Sequence, residues 1–316
     1  MSERRRLILD TDTGSDDCWA IIEALRAADV VRVEAVTVVC GNFPLDLCVK
    51  NAMLAIEAAG TYLPPVYRGM ERPLLTAKIF QADYVHGSDG LGEMHLPYSD
   101  RPVETAFAPD AIIDLVMAHP GEIEIATIGP LTNVAMALLK EPRLAKNIKK
   151  LWILGGTAGA QGNLSPAVEY NVGTDPEAAS IVLSAGIDAV WVTWDTARGD
   201  TEITPEDVEK LLESGTSAGR FCALCSRTLQ QYYRRLYGKD SFGVVDSMLL
   251  TAALYPEVME DVYAANCAVE LQGGETRGYL RIDRYGRLKK EPNAVICPRI
   301  NAAAYKQRLF SLLCGE

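Results

Sequence analysis

Short apolar runs alternate along this chain with longer stretches whose apolar positions recur at helical spacing. Residues 6–9, 33–39, 123–128, 151–154 and 189–194 read as strands. Between them, Cys18, Ile21, Ile22 and Leu25 repeat at i, i+3, i+4 and i+7, and residues 45–59, 109–118, 131–139 and 176–185 carry the same helical pattern. This alternation predicts βαβ units, and so an α/β fold: a mainly parallel, Rossmann-like sheet flanked by helices, with right-handed crossovers. Residues 205–212 open a more helical section. Residues 216–237 predict one long helix with Phe221, Cys225, Leu229, Tyr232 and Leu236 on its apolar stripe. The tail from Cys267 predicts a hairpin, a strand over 294–297 and a closing helix. Glycines 87, 90 and 92 and prolines 97 and 102 make residues 76–105 a long loop, of the kind that often covers an active site. No low-complexity linker or internal repeat interrupts the chain, so residues 1–316 are expected to form a single domain.

The sharpest departure from this pattern follows the first strand. Asp10-Thr11-Asp12-Thr13-Gly14-Ser15-Asp16-Asp17 places four carboxylates within eight residues, where a strand hands over to a helix. Such a cluster repels itself unless a positive charge sits within it. The N-terminus of the following helix favours Asp16 and Asp17. Capping accounts for one or two acids but not for four around a glycine. Carboxylates without nearby His or Cys are hard oxygen ligands, suited to Ca²⁺ or Mg²⁺ rather than Zn²⁺. An EF-hand is a poor match: counted from Asp10, Gly14 comes one position early and the twelfth position is Ile21, where a bidentate Glu is required.

Other polar motifs fall at the same edge, at or beyond the carboxyl ends of predicted strands, where ligands bind in parallel sheets. They are Gly41-Asn42, Gly129-Pro130-Leu131-Thr132-Asn133, and a Gly-rich loop over 155–163 that runs on to Glu169-Tyr170-Asn171. Asn42, Asn163, Glu169 and Asn171 suit a ligand with several hydroxyls, each of which wants a donor and an acceptor. A phosphate would require Lys, Arg or a P-loop. The net charge of −11 argues against nucleic-acid or anionic-membrane partners. The basic start, Arg4-Arg5-Arg6, has no long apolar segment behind it, so no signal peptide or membrane span is expected. Eight scattered cysteines fit reduced, mostly buried thiols in a cytoplasm, and the lone pair Cys222 and Cys225 lacks two further ligands for a zinc site.

Asp10-Thr-Asp12-Thr-Gly14-Ser-Asp16-Asp17 resembles the Asp-x-Asp-x-Gly-x-Asp-Asp signature of the calcium-dependent, inosine-uridine preferring ribonucleoside hydrolases. Gly41-Asn42, His86-Gly87-Ser88-Asp89-Gly90-Leu91, Gly129 to Asn133, Asn163, Glu169-Tyr170-Asn171 and Asp246 follow in that family's order, so the resemblance spans most of the chain. It implies the nucleoside hydrolase fold and hydrolysis of the N-glycosidic bond of ribonucleosides to ribose and a free base. Asp12, Asp17, the carbonyl of Ile128 and Asp246 would hold one Ca²⁺, which binds a water and the ribose cis-diol. Asp12 would be the general base. Asp16 and Asn171 would grip the 2′- and 3′-hydroxyls, Asn163 and Glu169 the 5′-hydroxyl side, and Asn42 would line the ribose pocket. Asp10 would orient the loop from behind. A homodimer or homotetramer is implied. Where many members have His-Asp, this chain has Val245-Asp246, so the leaving base loses one proton donor; His86 is the candidate replacement. Tyr233 and Tyr237, four apart on one helical face, resemble aromatics that close over the nucleobase.

Two rivals make different predictions. A phosphohydrolase of the haloacid-dehalogenase type also opens with a strand and Asp-x-Asp, but its later Gly-Asp-x-x-x-Asp run is absent here. A sugar- or nucleoside-binding relative that lost turnover with the histidine would bind nucleoside without releasing base.

Overall fold

The computed structural model describes residues 4–76 and 80–315. In chain order the elements are β1 Arg5–Thr11, α1 Ser15–Arg26, β2 Val31–Val38, α2 Leu45–Ala59, β3 Val66–Arg68, α3 Asp83–His86, α4 Ala108–Ala118, β4 Ile123–Thr127, α5 Thr132–Lys140, β5 Lys150–Leu154, α6 Tyr170–Thr174 and α7 Pro176–Ser184. There follow β6 Ala189–Val192, α8 Pro205–Glu213, α9 Ser217–Cys225, α10 Arg227–Tyr237, α11 Val245–Leu254, β7 Met259–Glu260, β8 Tyr263–Val269, β9 Leu280–Asp283, β10 Ala294–Cys297, β11 Arg299–Ile300 and α12 Ala302–Cys314. Nine strands form one sheet in the order β3-β2-β1-β4-β5-β6-β10-β8-β9. It is parallel from β3 through β10, and β8 and β9 add an antiparallel edge. Residues on its two faces pack into separate apolar clusters, as expected of a sheet covered on both sides.

After β1 the chain turns into α1, crosses to β2 on one side, and later inserts β4 on the other side of β1. The strand order therefore reverses at β1, and a crevice opens at the carboxyl ends of β1 and β4. Two helices shape that crevice. α1 is packed on α11, which is buried along its whole length, and the first turns of both helices face the opening. A polar clasp joins them: Ser247 Oγ and Thr251 Oγ1, one turn apart on α11, donate to Glu23 Oε2 and Oε1 at 2.7 and 2.5 Å. Tyr305 on α12 donates to Ser247 Oγ.

Burial pushes the Glu23 carboxyl up to about 8, against the two hydroxyl bonds that lower it. The folded protein thus keeps a proton that the unfolded chain releases in the ordinary carboxyl range. Its contribution to stability is complete below that range and is lost as pH rises through about 8. Glu23→Gln keeps the shape but cannot ionise. Its melting temperature should match wild type near pH 5 and exceed it by a widening margin toward pH 9. A gap that does not change with pH would contradict this.

Three expectations need correction. Residues 216–237 are two helices, because Ser226 Oγ bonds back to the Cys222 carbonyl at 2.9 Å while accepting the Trp19 indole N–H, also at 2.9 Å. This back-bonding weakens the helix at the point where it is interrupted. Leu236, expected on the apolar stripe, is exposed. The hairpin expected from Cys267 begins earlier, at Tyr263, and pairs β8 with β9. The loop over 76–105, three residues of which lie outside the described set, contains the single-turn α3.

Candidate active site

β1 delivers the acidic run directly into the crevice. Asp10, Asp12 and Asp17 are almost fully buried, as is Asp246 on the first turn of α11. Oxygen atoms of Asp16, Asp17 and Asp246 lie within 4.8 Å of one another, so acids from opposite ends of the sequence meet at one point. Asp17 accepts from Thr11 Oγ1 at 2.6 Å and from Gly14 N at 2.8 Å, which closes the turn into α1. Asp12 Oδ2 accepts the Asn42 N–H at 2.8 Å, and Asn42 Nδ2 reaches Asp17 Oδ2 at 3.3 Å. The glycine of Gly41-Asn42 is demanded by this closeness: a Cβ there would stand 2.0 Å from Asp12 Oδ2. One at Gly129 would stand 2.7 Å from Asp12 Oδ1. Asp10 lies behind the loop, where Thr37 Oγ1 and Asn133 Nδ2 donate to its Oδ1 at 2.5 and 2.8 Å.

Electrostatically the cluster is incomplete. Burial pushes Asp10 and Asp17 up to about 7, and in Asp17 the neighbouring Asp16 adds to the effect. Burial, then the charges of other acids in the cluster, holds Asp12 and Asp246 well above the carboxyl range. Asp17 and Asp246 hydrogen-bond to each other, and Asp12 Oδ1 and Asp16 Oδ1 are buried without a partner. Among the described residues no lysine or arginine pairs with these acids; His86 Nδ1 stands 3.7 Å from Asp16 Oδ1. Oxygen-only donors, unpartnered oxygens and mutual repulsion are what a hard divalent cation relieves. The residues fit such an ion. The expected carboxylate set was Asp12, Asp17 and Asp246; here Asp16 completes the tight group, with Asp12 beside it.

Above the acids lies a cleft. Asp16, Asn42, His86, Ile128, Asn163, Glu169, Asn171, Tyr233 and Asp246 all line it, whereas Asp12 and Asp17 lie below its floor. Asn171 Nδ2 donates to the Ile128 carbonyl at 2.9 Å. Asn163 Oδ1 accepts from Tyr170 N at 2.8 Å, which leaves its amide N–H₂ for a ligand. Glu169 caps α6, taking the N–H groups of Asn171, Val172 and Gly156. Asp195 pins the Gly-rich loop by accepting from Ala158, Gly159 and Ala160 N. Apolar and aromatic side chains complete the lining: Val85, Leu229, Val245, Tyr84, Tyr232 and Tyr233. Tyr237, expected here, does not line the cleft; it lies 5.1 Å from Tyr233, ring to ring, and is 40% exposed. Tyr232, beside Tyr233 on α10, lines the cleft instead. Nothing in the sequence pattern marks Tyr232, Tyr84 or Trp194 as lining residues.

The α/β sheet thus carries a buried aspartate cluster at its switch point, with side-chain amides and aromatic rings lining the cleft beside it. The profile of the inosine-uridine preferring nucleoside hydrolases matches residues 7–307, and the chain belongs to that family. It is 38% identical over 261 residues to a probable uridine nucleosidase 1 of Oryza sativa subsp. japonica, covering 80% of this chain and 78% of that one. It is 31% identical over 298 residues to the pyrimidine-specific ribonucleoside hydrolase RihB of Escherichia coli, covering 93% and 92%. A plant nucleoside hydrolase, PpNRh1, superposes with a TM-score of 0.91 at 30% identity over 99% of this chain and 100% of its own. A purine-preferring ribonucleoside hydrolase from Gardnerella vaginalis gives 0.90 at 25% identity, covering 98% of each chain. The protein is thus a nucleoside hydrolase, an enzyme that cleaves the N-glycosidic bond of ribonucleosides. Among the described residues, no helix is long and apolar enough to cross a membrane.

Proposed function

We propose that this enzyme releases free base from ribonucleosides with one Ca²⁺ held by Asp12, Asp17, Asp246 and the Ile128 carbonyl. The observation that carries the reading is the meeting of Asp17 and Asp246 around unpartnered buried oxygens, with no protein cation beside them among the described residues. When bound, the ion supplies an acidified water and a template for the ribose cis-diol. Asp12 Oδ1, free of any partner, takes the proton of the attacking water. Asp16 and Asn171 hold the 2′- and 3′-hydroxyls, Asn42 closes the ribose pocket, and Asn163 and Glu169 face the 5′ side. The surrounding carboxylates stabilise the oxocarbenium-like charge that grows on the sugar as the bond to the base lengthens. Asp10 fixes the loop through Thr37 and Asn133. On the base side, Tyr232 and Tyr233 face the ring, and His86 donates to the departing base in place of the histidine that Val245 replaces. Eight free thiols, seven of them buried, support a cytoplasmic setting. We read the chain as one catalytic domain.

A panel of nucleosides assayed for free ribose with and without Ca²⁺ tests this reading. Uridine comes first, since relatives at 31% to 38% identity are named for uridine or pyrimidine nucleosides. Ribonucleosides should be cleaved only with the ion present, and 2′-deoxynucleosides roughly 10⁴-fold more slowly, because the site's diol partners are left unpaired. Turnover that survives exhaustive chelation, or equal rates on the deoxy series, would overturn it. Nucleoside binding without base release would favour the turnover-deficient alternative.

A further inference from the structure

His86 is brought into the cleft by the single turn α3, and its ring rests on the first turn of α1. A Cβ at Gly14 would touch that ring at 3.1 Å. Ser15 meets His86 Nδ1 twice: its backbone N at 3.3 Å and its Oγ at 2.8 Å. A backbone N–H can only donate, so Nδ1 presents a lone pair and the neutral ring carries its proton on Nε2. A competitor stands close by. Asp16 Oδ1, buried and without a hydrogen-bond partner, is 3.7 Å from the same Nδ1. A proton on Nδ1 would be drawn to that carboxylate. It would strip Nε2 of its hydrogen and engage the acid that the ribose hydroxyls need.

We propose that Ser15 is a positioning residue that selects the His86 tautomer, holding Nδ1 as an acceptor so that Nε2–H is free for the leaving base and Asp16 is free for the sugar. The inference rests on the assignment of His86 as donor to the leaving base. Its particular weight in this chain comes from Val245, which lines the same cleft beside Asp246 and has no proton to give. The Ser15 hydroxyl and amide share one acceptor, so loss of the hydroxyl leaves the longer, weaker contact to compete with Asp16 alone.

The test compares Ser15→Ala, Ser15→Thr, His86→Ala and the double variant on uridine and on 4-nitrophenyl riboside, whose leaving group departs without a proton. Ser15→Ala should lower kcat on uridine roughly tenfold more than on the nitrophenyl substrate, raise KM on both because the diverted Asp16 serves the ribose they share, and add nothing once His86 is gone. Ser15→Thr, which restores a hydroxyl, should recover the loss. Independently of activity, ¹⁵N NMR of histidine-labelled protein, with the His86 signals assigned by their absence in His86→Ala, should show the Nε2–H tautomer in wild type. In Ser15→Ala it should show a shift toward Nδ1–H. Equal losses on both substrates, a further loss in the double variant, or an Nδ1 proton in wild type would overturn the proposal. If His86→Ala shows the leaving-group signature and Ser15→Ala does not, the role of Ser15 fails alone. If His86→Ala shows none, the assignment of His86 fails and the Ser15 proposal falls with it.

Discussion

Asp12→Asn is expected to lower kcat by roughly 10³-fold without unfolding the protein. Asp12 is 1% exposed, and its two oxygens have different tasks. Oδ2 accepts the Asn42 N–H, a bond that an asparagine carbonyl keeps. Oδ1 has no protein partner and is the atom that takes a proton from water in the proposed mechanism. An amide in its place is the same size but has no basicity. Replacing it also removes one of the like charges that oppose ionisation in the cluster. The metal-free variant should therefore melt no lower than metal-free wild type, although the active protein loses its base. A kcat within about tenfold of wild type would reject Asp12 as the base, and a collapse of the fold would show that its role lies in the turn instead.

Much of this site is legible in the sequence because its signals are local. The strand β1, the acidic run and the helix α1 follow one another and end at Arg26, and each has a strong pattern: an apolar run, four carboxylates, a 3.6-residue repeat. The parallel sheet follows from the strand–helix alternation in the same way. What escapes depends on partners distant in sequence. β3 is three residues long, too short to leave a pattern; it pairs with β2 and bridges to Glu104, both distant in sequence. The helix break at Ser226 involves Trp19, 207 residues away. Beyond that break, Tyr232 and Tyr233 line the cleft and Tyr237 does not. Glu23 sits within an apolar helix face, and only the hydroxyls of α11 explain its burial. Nor does spacing reveal that Ser15 rather than Asp16 takes the nearer contact with His86.

The second large effect concerns the ion itself. Asp246 enters the cluster from α11, outside the turn formed by residues 10–17, and meets that turn through a hydrogen bond to Asp17 that an asparagine side chain can keep, so its substitution bears on the cation site more than on loop folding. Asp246→Asn keeps the side-chain volume but removes a charge and an anionic oxygen from the point where three acids meet. Partners that merely orient metal ligands cost ten- to a hundredfold in affinity when lost, so removal of a direct ligand should cost at least roughly a hundredfold. A ligand that binds only the folded chain stabilises it, so saturating Ca²⁺ should raise the melting temperature of wild type and do little for the variant.

Calorimetric titration of the metal-stripped protein with Ca²⁺ decides whether the buried acids form a cation site. One ion should bind per chain in wild type, and binding should be weakened by at least roughly a hundredfold in Asp246→Asn. Absence of Ca²⁺ binding in wild type, or an isotherm left unchanged by that substitution, would refute the proposed metal centre.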